Sequence, residues 1–142
     1  MENNKITITI ESERELKRSY GEEMVSILSK LSPYARIFNE DNVAWSSDLE
    51  YNLAYLKGQQ DFLNDKLRYN RFLFLNDVYE TLGFPITKVG AVVGWVYDEE
   101  NPIGDNFVDF GIFQFHNKNA VNCKSGYFIL DFNVDGEILS RI

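Results

Sequence analysis

The sequence predicts an α+β fold, with N-terminal helices packed on a C-terminal antiparallel sheet of three to four strands. Three observations carry that expectation. Apolar residues recur at steps of three and four between about residues 12 and 83. After about residue 90, Val, Ile, Phe, Tyr and Trp gather in short runs separated by Gly, Asn, Asp and Pro. The gaps between those runs are too short for parallel crossovers, so neighbouring strands should run antiparallel. The 142 residues, 44% hydrophobic and 25% charged, suit one domain over 1–142, with a helical part at about 12–83 and a sheet part at about 90–142.

Taken in order, Lys5 to Ile10 alternates apolar and polar residues and reads as a short strand. Ser12 and Glu15 then have capping-box spacing, and Leu16, Tyr20, Met24, Ile27, Leu28 and Leu31 form one helical stripe that Ser32-Pro33 stops. Gly21 weakens it. Residues 33 to 45 read as a loop pinned by Ile37, Phe38, Val43 and Trp45. The most regular pattern follows Ser47 and Glu50, a second capping-box pair. Leu49, Leu53, Leu56, Gln60, Leu63 and Leu67 make one stripe, and Tyr51, Tyr55, Gly58, Phe62, Asp65 and Tyr69 make another on a different side. A helix covered on one side needs about a third of its circumference apolar. The second stripe therefore calls for another layer, a partner chain or a ligand. Arg71 to Leu82 continues as helix and ends at Gly83 and Pro85.

Strands are expected at about Ala91 to Tyr97, Phe107 to Phe115 and Tyr127 to Val134, with Asp135-Gly136 turning into a hairpin arm at Glu137 to Arg141. Strand parity puts Val108, Phe110 and Ile112 on one apolar face, as it does Phe128, Leu130, Phe132 and Val134. Asp109 and Asp131 fall on the opposite faces among aromatic residues, where Trp95 with Asp109 would offer a contact surface.

Charge and composition exclude several functions. Against 22 Asp plus Glu the chain has 14 Lys plus Arg, a net charge of −8, which disfavours nucleic acid and anionic membrane as partners. No apolar run approaches the ~18 residues of a membrane span, and MENNK lacks the regions of a signal peptide, so a cytoplasmic location is expected. A single cysteine, Cys123, and a single histidine, His116, leave no Cys/His metal set and no defined catalytic pair. Four acids in Asp98 to Asn106 suit a solvated connection as well as a cation loop. Asp131-Phe-Asn133-Val-Asp135-Gly136 matches the first half of a calcium loop, but Ile142 stands where the bidentate Glu belongs. Gly90 to Gly94 lacks the Lys-Ser or Lys-Thr of a phosphate loop and reads as close packing. Lys66, Arg68 and Arg71 form a basic cluster beside Tyr69 and Phe72, suited to an acidic partner segment or simply to solvent.

Phe74 to Pro85, Gly94-Trp-Val-Tyr97, Asn101 to Gly111 and Leu130 to Gly136 together give residues 50 to 142 a likeness. That stretch resembles a family of short uncharacterised proteins from phages, prophages and mobile elements of gut and Gram-positive bacteria. The resemblance implies a phage-type context and no particular activity, cofactor or catalytic residue. The function expected is a non-enzymatic protein–protein interaction module. It would contact a protein partner or a second copy of the chain through Tyr51, Tyr55, Phe62, Tyr69, Trp95, Asp109 and Asp131, and would use no metal or cofactor. The alternatives are a metal-assisted hydrolase or nuclease accessory built on Asp105, Asp109, Asp131 and Asp135, and an acidic decoy that inhibits a host defence protein.

Overall fold

A computed structural model describes residues 31–112, 121–122 and 127–142. The expected strand at Lys5 to Ile10, the helix from Ser12 up to residue 30, residues 113–115, His116 and Cys123 lie outside the described residues. Among those described, the architecture is mixed α+β, with strands interleaved between mid-chain helices. The order is β1 (Arg36–Phe38), α1 (Leu49–Asn70), β2 (Phe72–Phe74), α2 (Leu75–Leu82), β3 (Val93–Val96), β4 (Val121–Asn122), β5 (Tyr127–Leu130) and β6 (Gly136–Glu137). They form two three-stranded antiparallel sheets, ordered β1-β5-β4 and β2-β3-β6. This corrects the expected division into a helical part and a sheet part.

Helix α1 starts one residue later than the capping-box spacing implies, because Asp48 rather than Ser47 is its N-cap and accepts from the N–H groups of Glu50 and Tyr51. It ends at Arg71, whose φ of 76° places it in the left-handed region and whose N–H bonds to the Leu67 carbonyl at 2.7 Å. That reversal is why the expected continuous helix from Arg71 to Leu82 divides. Phe72, Leu73 and Phe74 pair instead with Val96, Trp95 and Gly94, and α2 begins only after them. The Phe74 N–H donates to Asp77 Oδ2 across the first turn of α2. The predicted stop at Gly83 is observed, with φ 84° and its N–H on the Glu80 carbonyl.

Apolar patterning placed the core well. Leu56, Leu63 and Leu67 of α1 are fully buried, with Leu75, Val78, Tyr79 and Leu82 of α2 and Phe38, Trp95, Phe128 and Leu130 of the sheets. Val108, Phe110, Ile112 and Phe132 complete this cluster as parity required, and Val134 packs half-buried against it. Phe110 and Tyr79 both meet Phe132 edge to face, at 5.5 and 5.9 Å between centroids.

Two expected strands take another form. Residues 108–110 and Ile112 are buried but make no regular ladder, because Gly111 has φ 81° and interrupts an extended path. The chain leaves β5 after Leu130, and β6 pairs with β3 rather than folding back on β5 as a hairpin arm. Residues 139–141 form a single 3-10 turn. In the 33–45 stretch, read as a loop, Arg36–Phe38 is wholly buried and pairs with Phe128 to Leu130.

The close-packing role read for Gly90 and Gly94 is confirmed by geometry. A Cβ on Gly94 would lie 2.0 Å from the Leu73 carbonyl oxygen, and one on Gly90 would lie 2.1 Å from Asn76 Oδ1. Gly94 is confronted by backbone, which cannot swing aside. Gly94→Ala should therefore cost about 2 kcal/mol or more, as overpacking against a fixed neighbour does. Urea unfolding would show it, and a wild-type midpoint would mean that β2 and β3 can separate without penalty.

Candidate functional site

The described surface is distinctive along one side of α1. Tyr51, Phe62 and Tyr69 share a helix face and are 55%, 54% and 88% exposed. They run over 18 residues, about 27 Å at the helical rise of about 1.5 Å per residue. Gly58 lies on the same face with nothing within 4 Å of a would-be Cβ, which leaves a notch between the rings. Tyr55, the fourth aromatic of the stripe, turns inward and stacks on Phe38 at 5.8 Å and 16°. Burial raises its phenol pKa, with a smaller contribution from Tyr51. Three aromatics of the stripe thus face solvent, and one anchors the helix.

The opposite side explains Gln60. Asn52, Leu56, Gln60, Leu63 and Leu67 are the buried row of α1, at steps of four and three. Gln60 Oε1 accepts the Phe110 N–H at 2.8 Å, so its polarity serves the chain's own backbone. Asn64 binds both polar groups of Val108, accepting from its N–H at 2.7 Å and donating to its carbonyl at 3.0 Å. These two helix side chains supply the partners that a neighbouring strand would otherwise give to residues 108–110. The sequence signal was available as amides standing in or beside an apolar row.

Trp95 and Asp109 require correction as an exposed contact surface. Trp95 is fully buried and Asp109 is 7% exposed. Both are held by Asn133, whose Oδ1 accepts Trp95 Nε1–H at 2.9 Å and the Asp109 N–H at 2.7 Å. Asn133 Nδ2 donates to the Phe107 carbonyl and to Asp105 Oδ2. Sequence reasoning missed Asn133 as a junction because its four partners come from distant segments. Asp109 Oδ1 accepts the Gly111 N–H at 2.8 Å and so fixes the local turn.

The four carboxylates of the hydrolase alternative go to different partners. Asp131 accepts from the hydroxyl and backbone N–H of Ser32, Asp109 holds Gly111, and Asp135 Oδ2 accepts the Val96 N–H at 2.9 Å. The charge of Asp105 acts on Asp135. Among the described residues no group of three or more His, Cys, Asp or Glu side chains is arranged to hold a metal ion. Asp131, Asn133 and Asp135, the oxygen positions of the half calcium loop, are likewise each spent on separate intrachain partners. No helix among the described residues is long and apolar enough to cross a membrane.

Comparison with known proteins places residues 2–142 in a family of unknown function, DUF6353, and the chain belongs to that family. No curated protein and no solved structure matches it.

Two expectations follow from the Asn133 and Asp135 geometry. Asn133→Ala would leave the Trp95 indole N–H and the Asp109 N–H without their acceptor in buried surroundings, at a cost of about 2–4 kcal/mol. Chemical denaturation should register it, and a loss under about 1 kcal/mol would show that other groups replace the amide. Burial pushes the Asp135 carboxyl above its usual 3.8, opposed by the Val96 N–H and reinforced by Asp105. A raised folded-state value means that the native state holds this proton more tightly, so its contribution is lost as pH climbs from 3.8 through the folded value. Asp135→Asn keeps an oxygen for Val96 and removes the charge. Its melting temperature relative to wild type should rise with pH across that window, and a constant difference would contradict the assignment.

Proposed function

We propose that the chain is a non-enzymatic protein–protein interaction module of the phage type, and that it meets its partner through Tyr51, Phe62 and Tyr69 of α1. The observation that carries this reading is three large aromatic side chains, each more than half exposed, on one face of a 22-residue helix. Exposed Leu or Phe residues scattered singly are ordinary, whereas aromatics aligned along one helix face make a contact surface. Tyrosine suits that role because its ring tolerates burial and its hydroxyl tolerates water. The other side of α1 is bound into the core, so the helix is rigid where it presents these rings. A preorganised face loses little entropy on binding. A second copy of the chain is the simplest partner.

The reading predicts that Tyr51→Ser, Phe62→Ser and Tyr69→Ser each change folding stability by about 0.5 kcal/mol or less, as exposed positions do. The triple variant should lose association. Sedimentation of wild type and triple variant across micromolar concentrations tests self-association. A photo-crosslinking residue at position 62, compared with one at exposed Glu80, tests for another protein in cells. A monomeric wild type that also yields no adduct at position 62 would remove the proposal. So would a stability loss of core size, about 2 kcal/mol or more per site.

A further inference from the structure

Where α1 ends, a groove of about 430 Å³ opens between residues 141–142 and the paired ends of β2 and β3, lined by Arg71, Phe72, Val96, Tyr97, Asp98 and Arg141. That volume is within the range of ligand sites, about 300–1,000 Å³. Its walls are aromatic and aliphatic, and its charged side chains are two guanidinium groups and one carboxylate, Asp98. Among the described residues neither Arg71 nor Arg141 is within ion-pair distance of a carboxylate, although the charge of Arg141 acts on the Glu137 carboxyl, whereas Arg68 is paired with Asp65 and Lys57 with Asp61. The Arg71 guanidinium sits over the Tyr97 ring at 5.4 Å from its centroid. Asp98, the acid in the wall, already accepts the N–H groups of Glu100 and Asn101 at 3.1 and 3.0 Å through Oδ1.

Arg71 is also conformationally unusual. Its φ of 76° belongs to a helix-terminating position where glycine is the favoured residue. An arginine there incurs backbone strain, and its side chain gains only the stacking contact with Tyr97 in return. Strain kept at a groove-lining residue points to a use for the side chain outside the fold.

We propose that this groove binds an acidic segment of a partner protein, in which carboxylates alternate with apolar side chains. The carboxylates would take the planar forks of Arg71 and Arg141, which match a carboxylate bidentately, while the apolar side chains rest on Phe72 and Val96. Charge complementarity selects a short acidic peptide over a polynucleotide, because the rest of a chain with net charge −8 repels an extended polyanion. The groove begins two residues beyond Tyr69, so one partner can cover both surfaces. This inference rests on the reading of the chain as a protein-contact module and names the chemistry of the partner.

The test is fluorescence anisotropy of the full chain with a labelled short peptide of alternating glutamate and leucine, alongside its glutamine counterpart and a single-stranded oligonucleotide. Saturable binding of the acidic peptide is expected, weakened by added salt, at least tenfold weaker in Arg71→Gly with Arg141→Ala, and absent with the glutamine peptide. Arg71→Gly should fold with an unchanged or higher melting temperature, since glycine accepts the left-handed conformation, so its loss of binding reports the side chain alone. Failure of the wild type to bind the acidic peptide would overturn the proposal. Equal binding of the glutamine peptide, undiminished binding by the double variant, or preference for the oligonucleotide would do the same. The aromatic-face variants leave both arginines intact, so failure there and failure here are separate results.

Discussion

Side-chain amides acting as substitute strands are the interaction on which the rest of this structure depends. A carboxamide has the same donor and acceptor as a peptide group, so one asparagine can satisfy both the N–H and the carbonyl of a single residue. Four do so here: Asn52 with Ser46, Asn64 with Val108, Asn76 with Thr87, and Asn106 with Asp98, all at 2.7–3.1 Å. Asn42 works similarly across a longer gap, donating to the Leu82 carbonyl at the end of α2 and accepting from Ala44. The described strands are two to four residues long and leave much of the backbone outside any ladder. A buried peptide group without a partner costs about 1–3 kcal/mol, so the buried irregular segment 108–110 relies on Asn64, Gln60 and Asn133 beside the backbone N–H groups of Asp131 and Asn133.

That device also determines which face of α1 remains outside. The row bearing Asn52, Gln60 and Asn64 must lie against the segments it satisfies, and the leucines between them are carried into the core with it. Rotating the helix to bury Tyr51, Phe62 and Tyr69 would break five hydrogen bonds to Ser46, Val108 and Phe110. Net hydrogen-bond contributions of about 1 kcal/mol each, and more where a buried group would be left unpaired, oppose that rotation. Exposure of the aromatic face is thus a consequence of how the opposite face is bonded.

The periodicities were legible because burial imposes them directly. The leucine row of α1, the Gly83 stop, and the apolar alternation at 108–112 and 128–132 all follow from which side chains must avoid water. The aromatic stripe was legible too, except that Tyr55 faces Phe38. The partition of strands between two sheets was not. Apolar alternation specifies a buried face but not a pairing partner, and Arg36–Phe38 finds its partner 90 or more positions away in Phe128 to Leu130. Trp95 was misplaced for a related reason. It was grouped with Asp109 on the outer face of a one-sided sheet, yet β3 is the central strand of its own sheet and Asn133 accepts the indole N–H. A run that reads as half-exposed becomes fully enclosed when both its faces are covered.

Arg71 shows how closely fold and surface are joined in so short a chain. Its left-handed backbone ends α1 and turns the chain into β2, and its carbonyl accepts the Tyr97 N–H at 2.9 Å, extending the β2–β3 pairing by one position. The backbone of this residue therefore belongs to the architecture, whereas its side chain lies along the groove beside Tyr97. Glycine would serve the architectural role at lower conformational cost. Residues in which backbone and side chain answer to different demands are where propensity and observed structure part company, and such conflicts concentrate at functional sites. By that criterion Arg71, rather than any of the carboxylates, is the residue whose presence folding alone leaves unexplained.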